Sequence, residues 1–403
     1  MKSEAYIIDA IRTPVGKLGG SLSVIRTDDL AALTIREIIK RNPSFDAAEI
    51  DEVILGCANQ AGEDNRNVAR MASLLAGIPH TVPAETINRL CASGMSAVVN
   101  ASRAIKIGDG DLYIAGGVEN MTRAPLVMSK AEYAFSGKQE MYDSSLGWRF
   151  INPKMKEMYG TDSMGETAEN LAEIYKISRE AQDEFACNSQ MKAASAQKSG
   201  RLAKEILPIE LQQKKSSASI FKDDEFVKPN TTHEILSTLK PAFRKNGTVT
   251  AGNSSGINDG SCSLLLASEK SVKQFNLKPK ARIIASSSVG VEPRIMGIGP
   301  VEATKKVLAK SGLKLDDMNV IELNEAFAAQ SLAVLKELGL DPNDKRLNPN
   351  GGAIALGHPL GMSGARLIQT AIHELEERKG KYALCTLCVG VGQGVATIIE
   401  RVS

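Results

Sequence analysis

Asn88-Arg-Leu-Cys-Ala-Ser-Gly-Met-Ser-Ala97 is a polar turn running into a helical pattern, and the strand-like Leu112–Ala115 with Gly116-Gly117 follows it. Far along the chain, Gly357-His-Pro-Leu-Gly-Met-Ser-Gly-Ala365 opens a second helix, followed by the strand-like Tyr382–Leu387 and a glycine-rich loop. Both stretches carry Gly-Met-Ser at the helix start, at Gly94–Ser96 and Gly361–Ser363. Three shared residues are within reach of chance. The shared order of turn, helix, strand and glycines is the stronger signal, and it reads as a duplicated α/β unit.

The rest of the chain fits that frame. Its 403 residues exceed what one core usually supports. Ala5–Ile8 and Glu52–Leu55 read as strands and Leu30–Lys40 as a helix. From about Asn120 to Asn246 the pattern changes to Lys-, Glu- and Met-rich helices with few strands. Tyr133–Phe150 is aromatic and irregular, Glu166–Gly200 is a long helical stretch and Gln212–Phe226 is polar. We read this as an insertion, with strand character returning at Thr248–Ala251 and Cys262–Ala267. The expected division is residues 1–119 with 247–275 as one half, 120–246 as the insertion, and 276–403 as the second half.

Composition is that of an ordinary globular protein, 43% hydrophobic and 24% charged with a net charge of +2, and nothing in it calls for nucleic acid. No run is long and apolar enough to span a membrane, and no secretory signal or peroxisomal tripeptide is visible, so a cytoplasmic location is expected. Six cysteines are too sparse for a disulfide scaffold.

Four positions carry candidate chemistry. Cys91 sits just before a helical run, where free N–H groups and the helix dipole favour a thiolate. A buried structural cysteine is the plain alternative. His358 is framed by glycines and Pro359, unlike His80, His233 and His373, and paired with a helix-start cysteine it becomes a candidate base. Cys388 ends a strand and enters Val389-Gly390-Val391-Gly392, where glycine lets backbone N–H groups approach a substrate. Cys385 completes a C-x-x-C spelling, but no second pair or histidine cluster completes a zinc set, so no metal is expected. Asn324, at the end of the strand-like Val320–Leu323, could hold a water or an oxyanion.

Together, Cys91-x-Ser93, Met164-Gly165, Asn324-Glu325-Ala326-Phe327, Gly357-His358-Pro359 and Cys388-x-Gly390-x-Gly392 resemble the thiolase family, in its order and spacing and over essentially the whole chain. The resemblance implies two similar α/β halves in five layers, α-β-α-β-α, with an inserted loop domain over the active site, and a homodimer or homotetramer. It implies a CoA-dependent, ping-pong acyltransferase with CoA as substrate and no permanently bound cofactor. Cys91 would be the nucleophile and His358 its activating base. Cys388 would be the acid/base at C2 and Asn324 the holder of a water, while the N–H groups of Cys91 and Gly390 would form an oxyanion hole. Met164, Phe243 and Phe327 would wall the acyl and pantetheine channel, and Ala251 and Ser255 would contact pantetheine. Lys228 falls where many relatives carry Arg near the nucleotide, and it keeps the charge without the planar fork.

Within the family, Ser163 stands where acetoacetyl-specific relatives often carry His. Gly147–Lys156, Tyr159–Met164, Val291–Pro300 and Cys385–Gly392 look like the 3-oxoadipyl-CoA branch of aromatic-compound degradation. A dicarboxylic acyl chain needs a cation for its far carboxylate, and Arg149 in the aromatic stretch is the candidate. A solvated or dimer-contact arginine is the plain alternative. Other substrate readings are a general 3-ketoacyl-CoA thiolase of fatty-acid β-oxidation and an acetoacetyl-CoA thiolase. A decarboxylating ketoacyl synthase would need a second histidine where Asn324 stands. A non-catalytic binding protein on this fold would be marked by loss of Cys91, His358 or Cys388, and all three are present.

Overall fold

The computed structural model describes residues 4–402 apart from Lys138 and residues 212–218. The opening Met1-Lys2-Ser3, Ser403 and the first part of the polar Gln212–Phe226 stretch lie outside the described residues.

Strands β1 (Ala5–Arg12), β2 (Glu52–Gly56), β3 (Ala84–Ile87), β4 (Leu112–Asn120) and β5 (Asn258–Ser268) belong to the first half of the architecture. Strands β6 (Ala281–Gly290), β7 (Val320–Leu323), β8 (Tyr382–Val389) and β9 (Gln393–Arg401) belong to the second. The order β7-β8-β9-β6-β1-β5-β4-β2-β3 makes one mixed sheet, and among the described residues the halves meet where β1 pairs with β6 at Tyr6↔Arg282 and Ile7↔Ala281. The repeat is explicit in the pairing. In each half the strand after the glycine-started helix, β4 or β8, has a parallel neighbour on one side, β2 or β7, and an antiparallel one on the other, β5 or β9.

Three apolar cores make the layers. Helices α1 (Thr27–Arg41) and α2 (Val68–Leu75) cover the outer face of the first half through Leu30, Ile35, Val68 and Ala72. Between the halves lie α3 (Ser93–Ile107) and the last long helix, Leu360–Arg378, with Met95, Val98, Leu367, Ile368 and Ile372 buried. Each such side chain contributes roughly 1.5–3 kcal/mol by leaving water. Helices Gly299–Ser311 and Ala328–Leu338 cover the outer face of the second half. This is the five-layer α-β-α-β-α order. The Gly-Met-Ser repeats pack on each other: a Cβ on Gly94 would lie 2.4 Å from Gly361 O, and one on Gly364 would lie 2.5 Å from Met95 N. Glycine is required there so that two helix starts can touch backbone to backbone.

Several expected elements differ. The strand expected at Leu112–Ala115 runs on to Asn120, so Gly116-Gly117 lie inside β4. The long helical stretch is two helices, Met164–Tyr175 and Arg179–Lys198, broken where Lys176 caps the first in the left-handed region at φ 54°. Thr248–Ala251 is not a strand, because side chains take its backbone donors: Glu169 accepts from Thr248 N and Val249 N, and Asn253 from Thr250 N. The aromatic stretch contains a short hairpin, Leu126–Met128 with Met141–Asp143. The segment from 120 to 246 is tied to β1 by Arg12. This fully buried guanidinium bonds Glu205 through Nε (3.0 Å) and Nη2 (2.9 Å), and Asp224 through Nη1 (2.7 Å) and Nη2 (2.9 Å).

Candidate active site

Cys91 lies in a single 3-10 turn, Leu90–Ala92, that feeds α3. The turn is tightly held. Asn88 Oδ1 accepts from Leu90 N (2.9 Å), Ser93 Oγ accepts from Arg89 N (2.9 Å), and Ser93 donates to Leu90 O (2.6 Å). Leu90 sits at φ 44°, and Val391 across the cavity at φ 63°. Non-glycine residues in the left-handed region carry strain that clusters at functional sites.

Cys91 is half-buried, and two N–H groups, its own and that of Gly390, point at its sulfur. A helix start by itself would lower the thiol pKa. Burial instead raises it to about 11, with Glu119 adding to the rise and the two N–H groups only offsetting part of it. The resting Cys91 side chain is therefore a thiol, and a base would be needed to make it a thiolate. Cys388, fully buried, is pushed up further by burial and by Cys91, which places the two thiols in one electrostatic environment. It is held as a protonated thiol.

His358 is buried, and desolvation first, then the charge of Arg366, bring its pKa down to about 3, so the ring is neutral. Its tautomer follows from its neighbour. Ser363 donates its single hydroxyl proton to Pro359 O (2.8 Å), so it accepts from His358 Nδ1–H at 2.7 Å. Nε2 is left with a free lone pair, 3.4 Å from Asn324 Nδ2, which is too long for a strong bond. Asn324 Oδ1 is buried with no protein partner among the described residues. A water or substrate oxygen placed between these groups would meet polar atoms from both.

A cavity of about 280 Å³ is lined by Cys91, Glu119, Trp148, Arg149, Met164 and Gly390, among others. Arg149 is half-buried, its polar contact among the described residues a long one of 3.4 Å to Ser144 O, and no described carboxylate lies within ion-pair distance. Trp148 donates to Asp162 O at 3.1 Å, which folds this aromatic wall back toward the helix start at Met164. Phe327 is buried and meets Phe243 edge-on with ring centres 6.0 Å apart. Ser255 N donates to Ala326 O (2.9 Å), which joins the 247–256 loop to the Asn324–Phe327 segment. Ala251 is exposed on that loop, and Lys228 is exposed with its ammonium 4.9 Å from the Phe226 ring centre. The structure thus gathers Cys91, Gly390, Met164 and Arg149 at one cavity and His358 with Asn324. Lys228 and Ala251 are not among that cavity's lining residues.

Sequence reasoning missed Glu119. The buried end of β4 aims this carboxylate at the cavity, where it accepts from Ala58 N (2.9 Å), Asn59 N (2.9 Å) and Gly361 N (2.8 Å). Burial outweighs those bonds and lifts its pKa to about 7. The only signal is a carboxylate following Gly116-Gly117, in a stretch whose glycines read as already past the strand.

No described helix is long and apolar enough to cross a membrane. The chain matches the family models described as "Thiolase, N-terminal domain" over residues 5–270 and "Thiolase, C-terminal domain" over residues 277–401. It is 62% identical over 399 residues to the 3-oxoadipyl-CoA/3-oxo-5,6-dehydrosuberyl-CoA thiolase of Escherichia coli, covering 99% of this chain and 100% of that one. It is 58% identical to the beta-ketoadipyl-CoA thiolase of Acinetobacter baylyi, covering 99% of each. Among solved structures, the acetyl-CoA acetyltransferase of Bacillus anthracis superposes with a TM-score of 0.93 at 42% identity, over 100% of this chain and 99% of that one. Human mitochondrial 3-ketoacyl-CoA thiolase in complex with CoA gives 0.92 at 40%, over 100% and 98%. With both thiolase domain models matched along the chain and full-length relatives at 62% and 58% identity, on a duplicated five-layer fold, this chain belongs to the thiolase family.

Proposed function

We propose that this enzyme cleaves 3-oxoadipyl-CoA with CoA, giving acetyl-CoA and a shortened acyl-CoA. The observation that carries the substrate is that Arg149, with no carboxylate partner among the described residues, lines the same cavity as Cys91. The names of the curated relatives support it. A carboxylate at the far end of the acyl chain would restore to Arg149 the charge-assisted bonds that the protein does not supply.

In this reading His358 Nε2 takes the Cys91 proton and the sulfur adds to the 3-oxo carbon. The C2–C3 bond then breaks, leaving the acyl group on Cys91 as a thioester and the electron pair on acetyl-CoA as an enolate. Cys388 gives its proton to C2. Asn324, through a bound water, and His358 hold the thioester oxygen where enolate charge develops. The N–H groups of Cys91 and Gly390 hold the oxygen of the acyl-enzyme's tetrahedral intermediate. A second CoA transfers the acyl group to itself, its thiol proton restoring Cys388, and Cys91 recovers its own proton from His358. CoA is a substrate, and the scheme needs no resident cofactor. Met164, Phe243 and Phe327 wall the channel, while Ala251, Ser255 and Lys228 meet the CoA.

We take residues 120–246 as a loop domain inserted within the first half, 1–119 with 247–275, and 276–403 as the second half. The same reading makes the enzyme a cytoplasmic homodimer or homotetramer. The edge strand β3 and the exposed Leu126, Met128 and Met141 of the hairpin support association, which light scattering on the purified protein would measure.

The test is thiolysis of 3-oxoadipyl-CoA and of a neutral 3-oxoacyl-CoA side by side, with Cys91→Ala as the inactive control. Arg149→Ala should lose roughly tenfold to a hundredfold in kcat/KM on the dicarboxylic substrate alone, as expected for a hydrogen bond between charged groups. Equal losses on both substrates would remove Arg149 from the carboxylate site. A wild-type preference for acetoacetyl-CoA would overturn the substrate.

A further inference from the structure

We propose that Glu119 is a positioning residue of the reaction, the bracket that sets the nucleophile turn against the loop carrying His358. The proposal rests on the assignment of Cys91 as nucleophile and His358 as base.

A continuous chain of hydrogen bonds runs through one buried carboxylate. Glu119 is 1% exposed. Its Oε2 accepts from Ala58 N at 2.9 Å and from Gly361 N at 2.8 Å, and its Oε1 accepts from Asn59 N at 2.9 Å. On one side, Ala58 O accepts from Asn88 Nδ2 at 3.0 Å, and Asn88 Oδ1 accepts from Leu90 N at 2.9 Å, next to Cys91. On the other side, Gly361 lies in the first turn of the helix that follows His358-Pro359, where Ser363 bonds both Pro359 O and the His358 ring. The Gly361 N–H is one that a helix start leaves free, so an acceptor there is needed as well as available.

The second observation is steric. The backbone around this bracket has no slack. A Cβ on Gly117 would lie 1.9 Å from Gly361 O, and one on Gly361 would lie 2.3 Å from Val118 O. The strand that carries Glu119 and the helix start it holds are in direct backbone contact, so a shift of one moves the other. Among the described residues, Cys57, whose sulfur lies 3.9 Å from Oε1, and Asp64 and Cys91 are the titratable groups that face the carboxylate. None of them is a cation, so the bracket is made by backbone N–H groups rather than by an ion pair.

Glutamine in place of Glu119 keeps the size but has one acceptor oxygen. It must abandon either Asn59 N or the pair Ala58 N and Gly361 N, and it turns an NH₂ group toward them. A misplacement of about 1 Å between reacting groups costs on the order of a hundredfold in rate.

The experiment is a double-mutant cycle on CoA-dependent thiolysis with Glu119→Gln, Asn88→Ala and the double variant, with melting temperatures measured for each. We expect Glu119→Gln to lower kcat roughly tenfold to a hundredfold with KM for CoA within about twofold of wild type. Asn88→Ala, cutting the same chain at its exposed end, should lower kcat by less. The double variant should be no slower than Glu119→Gln alone, because one broken link already uncouples the ends. Losses that multiply, or single variants with wild-type kcat, overturn the proposal. Should Glu119→Gln fail to fold, Asn88→Ala decides alone: a lowered kcat at unchanged KM supports the bracket and an unchanged kcat overturns it. Absence of thiolysis in the wild type would instead overturn the thiolysis reading on which the bracket depends.

Discussion

Replacing Arg12 with methionine should cost about 3–4 kcal/mol of stability at pH 7 and less at pH 4. Arg12 makes four hydrogen bonds to Glu205 and Asp224, all three side chains fully buried. The size can be worked from Glu205. Burial pushes its pKa up, but the charges of Arg12, Arg201 and His373 and the Arg12 hydrogen bond bring it from 4.5 down to about 2. At about 1.4 kcal/mol per unit this is about 3 kcal/mol, close to the ~3–5 kcal/mol for removing one partner of a buried ion pair. Arg201 remains at 3.4 Å to soften the loss.

The sign of the pH effect follows. A depressed folded pKa contributes stability that is full above 4.5 and lost as pH falls through about 2. Without Arg12 the largest of the charges that oppose burial is gone, so the variant keeps less of this contribution at pH 7. The difference is therefore larger at pH 7 than at pH 4. The assay is urea unfolding of both proteins at the two pH values, followed by circular dichroism and by the fluorescence of Trp148, the single tryptophan, in the aromatic wall of the cavity. A difference below about 1 kcal/mol at pH 7, or one that grows on going to pH 4, would refute the argument.

Three further outcomes are expected. With the Cys91 thiol pKa at about 11, alkylation of Cys91 in the substrate-free enzyme should keep rising with pH through about pH 9, read by mass spectrometry of its peptide; a plateau near pH 7 would mean a resting thiolate. Asn324→Ala should lower kcat on the order of a hundredfold to a thousandfold with little change in KM, as for loss of an oxyanion-holding group; steady-state kinetics that show a KM effect alone would contradict that role. Gly94→Ala should lower the melting temperature and the activity together, because its Cβ would lie 2.4 Å from Gly361 O and overpacking costs about 1–3 kcal/mol or more; calorimetry showing a wild-type transition would be inconsistent with that contact.

The chain's sequence determined what depends on local pattern and on residue type. The paired Gly-Met-Ser helix starts, the strands around them and the change of pattern near Asn120 carried the duplicated α/β frame. Cys91, His358, Asn324 and Cys388 stood out because helix starts and strand ends flanked by glycine are where backbone leaves room for chemistry. What the tertiary structure decided is what arises between segments. Burial raises the pKa of Cys91 against the two N–H groups that lower it, an effect its own helix start does not reveal. Thr248–Ala251 is a strand-like run in a linear reading. It is a loop because Glu169, from a distant helix, and Asn253, just beyond the run, take its N–H groups. Glu119 is likewise one carboxylate among many along the chain. It becomes a bracket only because packing buries it among N–H groups from two other segments, Ala58-Asn59 and Gly361, and a buried acceptor must be satisfied by whatever donors the fold brings within reach.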